Sequence, residues 1–225
     1  MKLFRSLLGS FHNVALIFDK DGTLIDTETL YFEVFDRLVG QYGCHHDLRT
    51  HADMMGASAD TCLDILRKRH PGFPQNLHVH KFLRDDLTRH IINVRRERGT
   101  QAMAGASELL EFCRTECIRV GMATSASREN TEMDLRNLGW NSYFETVVTA
   151  SDVSRHKPAP DIYLEAAKRM GIEPGACIAF EDGVRGVQSA HAAGMRVVFV
   201  RDERFGVDAP SEVSLTVGSL MEFLR

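Results

Sequence analysis

Two carboxylates two residues apart, Asp19 and Asp21, follow the apolar run "VALIF" (14–18) and precede Gly22. Neighbouring anions repel, and a buried carboxylate is costly unless something pairs with it. The rest of the chain offers partners in comparable places. Thr124 and Ser125 follow "VGMA", Lys157 lies in "ASDVSRHKPAP" after "ETVVT", and Glu181 and Asp182 follow "CIAF". Carboxylates gathered this way suit a hard divalent cation such as Mg²⁺. The hydroxyls and the ammonium suit a phosphate beside it.

The elements that must bring these residues together are short continuous apolar runs. They are "VALIF" (14–18), "IRVGMA" (118–123), "ETVVT" (145–149), "CIAF" (177–180), "RVVFV" (196–200) and the weaker "SLTV" (214–217). Continuous rather than alternating runs indicate strands covered on both faces. Helical patterns separate the later runs, three of them stopping at Gly139, Gly171 and Gly194, where a left-handed C-cap is favoured. The alternation predicts an α/β fold, a Rossmann-like parallel sheet. Ligands of such sheets sit beyond the carboxyl ends of the strands, where the acids, hydroxyls and lysine fall. From about residue 29 to 99 the rhythm stops and only helical stretches occur, with "HPGFPQN" (70–76) as a loop. The expected organisation is a catalytic core over 1–25 and 100–225 with an all-helical cap inserted over 26–99.

Four motifs in order, "FDKDGT", "ATS", "HKPAPD" and "FEDGVRGV", resemble those of the haloacid dehalogenase superfamily of phosphohydrolases. The helical insert after the first motif resembles the small cap of its β-phosphoglucomutase-like branch. The dehalogenases themselves lack the second aspartate. The resemblance implies a Mg²⁺-dependent phosphatase acting on a small phosphate monoester through an aspartyl-phosphate. Asp19 would be the nucleophile and Asp21 the proton shuttle. Thr124, Ser125, Lys157, Lys20 and Gly22 would bind phosphate. The metal would be held by Asp19, Asp182, the main-chain carbonyl of Asp21, and Glu181 directly or through water. A sugar-phosphate mutase would use the same core. In β-phosphoglucomutases an arginine follows a cap motif resembling "GAS" (56–58) and grips the distal phosphate; here Ala59 stands there, which favours the phosphatase. A non-catalytic phosphate-binding module would not need both Asp19 and Asp21.

Other features read as ordinary structure. A calcium loop starting at Asp19 would need a glutamate where Leu30 stands. "SRHK" (154–157) matches SxxK of serine acyl-enzymes without its companion motifs, and His78 and His80 have no third metal ligand. Thr124–Ser125 alone would read as a helix N-cap. Trp140 and the aromatics of "YFEVF" (31–35) read as packing. Glu28 and Tyr31 are candidate substrate contacts in the cap. A formal charge of −4, from 27 basic and 31 acidic residues, gives no field that favours nucleic acid or a membrane surface. Five cysteines without a CxxC pair fit a reduced compartment, and no apolar run reaches membrane-spanning length. A cytoplasmic monomer or homodimer is expected.

Overall fold

The computed structural model describes residues 14–55, 59–82 and 87–225, and falls into two compact units. The first holds residues 1–26, 100–202 and 208–225. Among its described residues, six strands form one sheet: β1 (Ala15–Phe18), β2 (Arg119–Ala123), β3 (Thr146–Val148), β4 (Cys177–Glu181), β5 (Arg196–Val200) and β6 (Leu215–Val217). All neighbours are parallel, in the order β3-β2-β1-β4-β5-β6. The α/β fold read from the apolar runs is therefore the one observed. β1 lies between β2 and β4, with Phe18 in register with Met122 and Phe180. Residues just past these three strands thus emerge side by side, at the point where the strand order reverses.

Burial on both faces explains the unbroken apolar runs: every residue of β1 and β4 is buried. Phe18 stacks on Phe180 with ring centroids 4.5 Å apart, and Phe180 meets Phe223 at 5.4 Å. Trp140 is buried in the same core, as packing. All five cysteines are free.

The second unit holds residues 27–99 and 203–207. Its longer helices among the described residues are α1 (Thr27–Gly40), α2 (Leu48–Met54), α3 (Ala59–Arg69) and α4 (Thr88–Arg98). Asp47 caps α2, accepting from the Thr50 N–H at 2.7 Å. Phe35, Leu38, Leu66, Phe73 and Phe82 give this unit its own core, which accounts for part of "YFEVF". His46, His51 and His70 are buried beside it. A His46 Nε2–His51 Nδ1 contact of 3.1 Å and a His51 Nε2–Glu28 contact of 3.2 Å link three residues in a line. Segment 203–207 joins the unit through Phe205, whose ring lies 5.1 Å from that of His51. The "GAS" stretch lies outside the described residues, as do the side chains of Ala59 and His80. Among the described residues, no helix is long and apolar enough to cross a membrane.

Candidate active site

Asp19 is the first residue past β1. Its N–H donates to the Phe180 carbonyl at 2.9 Å, so the central pairing carries on one step and delivers the carboxylate beside Glu181, the last residue of β4. Between these two acids lies the Lys157 ammonium. It pairs with Asp19, donates to Glu181 Oε1 at 2.6 Å, and donates to the Ala123 carbonyl at 3.1 Å. All three ammonium protons thus have acceptors. The Tyr163 hydroxyl also donates to Glu181, and its ring lies 5.1 Å from the Lys157 nitrogen.

Burial sets the electrostatics. It pushes the Asp19 carboxyl up to about 7; Lys157 opposes that rise, while Glu181 and Asp21 add to it. Burial also disfavours the Lys157 ammonium, but Asp19 and Glu181 more than offset this and its pKa rises. Tyr163 is raised well above its ordinary value by burial and by Glu181, so it stays a donor. A cation is what this surplus of negative charge lacks. Asp19, Glu181 and Asp182 each offer a carboxylate oxygen, all within 4.8 Å of one another, a group able to hold a metal ion. The Asp21 side chain is outside that group, and the expectation for Asp21 concerned its main-chain carbonyl.

Gly22 and Thr23 place Asp182. The Thr23 hydroxyl donates to Asp182 at 3.0 Å. At Gly22, φ is +79° and a Cβ would fall 2.1 Å from an Asp182 carboxylate oxygen. Glycine there serves both the left-handed turn and the close approach of the acid. Thr124, fully buried, lies 3.5 Å from Asp21 and accepts from the Ala126 N–H at 3.0 Å. Ser125 is exposed next to it. Neither is the N-cap of the following helix, α5 (Arg128–Leu138): Ser127 holds that place, accepting from the Asn130 N–H.

The Lys20 side chain points into the core. Only 1% exposed, it donates to Asp134 Oδ2 at 2.7 Å and approaches Asp21 Oδ1 at 2.9 Å. Successive side chains of an extended chain alternate faces, so the residue between Asp19 and Asp21 turns inward. Its ammonium is committed to two carboxylates.

Four residues of the site were not singled out from sequence. Tyr163 and Asp134 act through pairings 18 and 114 residues away in the chain, and Thr23 sat unremarked inside "FDKDGT". Gly186 lies in α6 (Val184–Ala192), where a Cβ would fall 2.0 Å from the Glu181 carboxyl; the "FEDGVRGV" motif contains it but gives no reason for it. The same helix secures the Lys157 loop. Arg185 donates to the Lys157 carbonyl at 2.7 Å and Ser189 to the Ala159 carbonyl at 2.6 Å, across a cis Lys157–Pro158 bond.

Comparison with known proteins agrees with the motifs. The family model of the haloacid dehalogenase-like hydrolases matches residues 16–200. The chain belongs to that family. It is 31% identical to a phosphorylated carbohydrates phosphatase of Thermotoga maritima over 185 residues, 82% of this chain and 83% of the relative. It is 32% identical to the fructose-1-phosphate phosphatase of Escherichia coli K12 over 192 residues, 83% and 95% of the two chains. A haloacid dehalogenase family hydrolase of Deinococcus radiodurans R1, crystallised with bound phosphate and sodium, superposes with a TM-score of 0.80 at 26% identity. That match covers 95% of this chain and 94% of the other.

Proposed function

We propose that the protein is a phosphatase that hydrolyses a small phosphate monoester, a sugar phosphate or similar metabolite, through an aspartyl-phosphate on Asp19. The observation that carries this reading is the Lys157 ammonium fixed between Asp19 and Glu181 beside Asp182. A carboxylate needs no base to become a nucleophile, but its attack on an anionic phosphate needs positive charge close by. Lys157 supplies part of it from a position already paid for in burial. The all-oxygen donor set fits Mg²⁺. Asp19, Asp182 and the Asp21 carbonyl, with Glu181, would hold it, and when bound it would neutralise charge on the phosphate.

The chain's own residues divide the work. An Asp19 oxygen forms a bond to phosphorus as the ester P–O bond breaks, and Asp21 gives its proton to the departing oxygen. Asp21 then takes a proton from water, the water oxygen bonds to phosphorus, and the acyl-phosphate bond breaks to free Asp19. Thr124, Ser125 and the Gly22 turn would hold phosphate oxygens. Residues 26–99 would act as the cap that selects the ester, with Glu28 and Tyr31 as contacts. The phosphatase relatives support hydrolysis over mutase chemistry, as does Ala59 where a mutase would place a guanidinium for the second phosphate. The five free cysteines support a cytoplasmic location, and a monomer or homodimer needs no further partner.

The test is phosphate release from sugar phosphates in Mg²⁺. Asp19→Asn should lower it more than about a hundredfold while the thermal melt is retained, and excess EDTA should abolish it. With β-glucose 1-phosphate and catalytic glucose 1,6-bisphosphate, phosphorus NMR should show free phosphate; faster accumulation of glucose 6-phosphate would favour the mutase.

A further inference from the structure

Lys20 and Asp134 form an ion pair in which each residue is only 1% exposed. The pair has two further attachments. On one side the Lys20 ammonium approaches Oδ1 of Asp21, a side chain 36% exposed. On the other, Asp134 Oδ1 accepts from the Thr100 hydroxyl at 3.1 Å, and Asn137 donates to that hydroxyl at 3.1 Å. Thr100 is the first residue of the core unit after the chain returns from the helical one. A line of polar contacts therefore runs Asn137–Thr100–Asp134–Lys20–Asp21.

Stability alone explains this line poorly. A buried ion pair seldom stabilises more than well-packed apolar residues of similar volume would, because desolvation of both charges offsets their attraction. What the pair does achieve is geometric. A lysine has four rotatable bonds, and Asp134, itself held by Thr100, fixes where the ammonium ends. The ammonium then meets Oδ1 of Asp21, which turns Oδ2 to the side of Thr124, whose hydroxyl donates to it at 3.5 Å. We propose that Asp134 is a positioning residue for the reaction, acting through Lys20 to set the orientation of the Asp21 carboxyl. The inference rests on the reading of Asp21 as the proton shuttle.

Its consequence is selective. An alkyl ester needs the proton from Asp21 when its leaving oxygen departs, whereas p-nitrophenolate needs little help. The test uses the full-length chain and single-turnover release of the leaving group from p-nitrophenyl phosphate and from β-glycerophosphate. Two variants are compared, Lys20→Met/Asp134→Leu, which removes both charges together, and the near-isosteric Asp134→Asn. Wild-type turnover that Asp21→Asn removes secures the reading beneath; a wild-type chain without turnover would overturn both. The expected result for each variant is a loss of about tenfold or more on the alkyl ester. The loss should be smaller on p-nitrophenyl phosphate, with KM changed less than about twofold in steady state. Asp134→Glu, which keeps the charge, should restore part of the rate. A folded double variant with wild-type rates on both esters would overturn the inference. So would Asp134→Asn losing equally on both, since a merely structural residue has no reason to distinguish leaving groups.

Discussion

Two of the polar clusters buried among the described residues are built on opposite terms. In the sheet unit, Asp19, Lys157, Glu181 and Tyr163 are charged or strongly polar, and the lysine has an acceptor for each proton. In the helical unit, His46, His51 and His70 are buried among aromatic rings, yet His46 Nδ1 and His70 Nε2 have no hydrogen-bond partner among the described residues. Burial pulls His46 down to about 4, helped by repulsion from His51 and His70, and burial also lowers His70. Burial thus favours the neutral form of His46 and His70, where the acids of the sheet unit are kept paired. Charge held in the interior at a strand end, next to more acids than one lysine can balance, marks chemistry. Neutral histidines with unused nitrogens mark a tolerated core.

Breaking the charged cluster should have the largest effect. Lys157→Met leaves Asp19 and Glu181 buried without their cation, a loss of about 3–5 kcal/mol by analogy with other severed buried pairs. It also removes the phosphate's fixed positive charge. Denaturant melts and phosphate release should both fall sharply. Next in size is Gly186→Ala. Its new methyl group would meet the Glu181 carboxyl, so about 1–3 kcal/mol and most activity should be lost. Gly175→Ala is the matched control, because a Cβ there meets nothing within 4 Å.

The histidine side of the comparison has a pH signature. His46 has a folded pKa below its unfolded value of about 6.5, so below pH 6.5 the unfolded chain binds the extra proton. Its contribution to stability is therefore full above pH 6.5 and falls as the pH drops towards 4. A shift from 6.5 to about 4 sets a ceiling of about 3.5 kcal/mol. Urea melts at pH 7.0, 5.5 and 4.5 should show a shallower decline for His46→Gln than for the wild type. The smallest effect is expected from His70→Leu, which removes a ring nitrogen that has no partner: less than about 1 kcal/mol, with phosphate release unchanged. A large loss there would mean that the histidine cluster has a role the contrast denies it.

How far the sequence reached follows the same division. The sheet and Asp19, Thr124, Lys157, Glu181 and Asp182 were legible because a doubly covered parallel strand is an unbroken apolar run and its site residues come next in the chain. Gly22 was legible for its turn, though not for the approach of Asp182. The inward turn of the Lys20 side chain was not legible, because its partner Asp134 lies 114 residues away in the chain. Tyr163, Gly186 and Asp134 were missed because their meaning depends on which residue they face across the fold. The histidine cluster was invisible for the same reason: 46, 51 and 70 share no spacing rule and meet only once the helices pack. Segment 203–207 gave no sign that it would join the helical unit.

If Asp19 carries the phosphoryl group, an acyl phosphate forms on it during turnover. Enzyme mixed with excess sugar phosphate and Mg²⁺, quenched in the steady state, treated with borohydride and digested, tests it by mass spectrometry. An acyl phosphate is reduced by hydride to an alcohol with loss of phosphate, so the peptide spanning residue 19 should carry homoserine in place of the aspartate. The modification should need substrate and should be absent from Asp19→Asn. Sustained turnover with that peptide unmodified, or with the label on another carboxylate, would contradict the account.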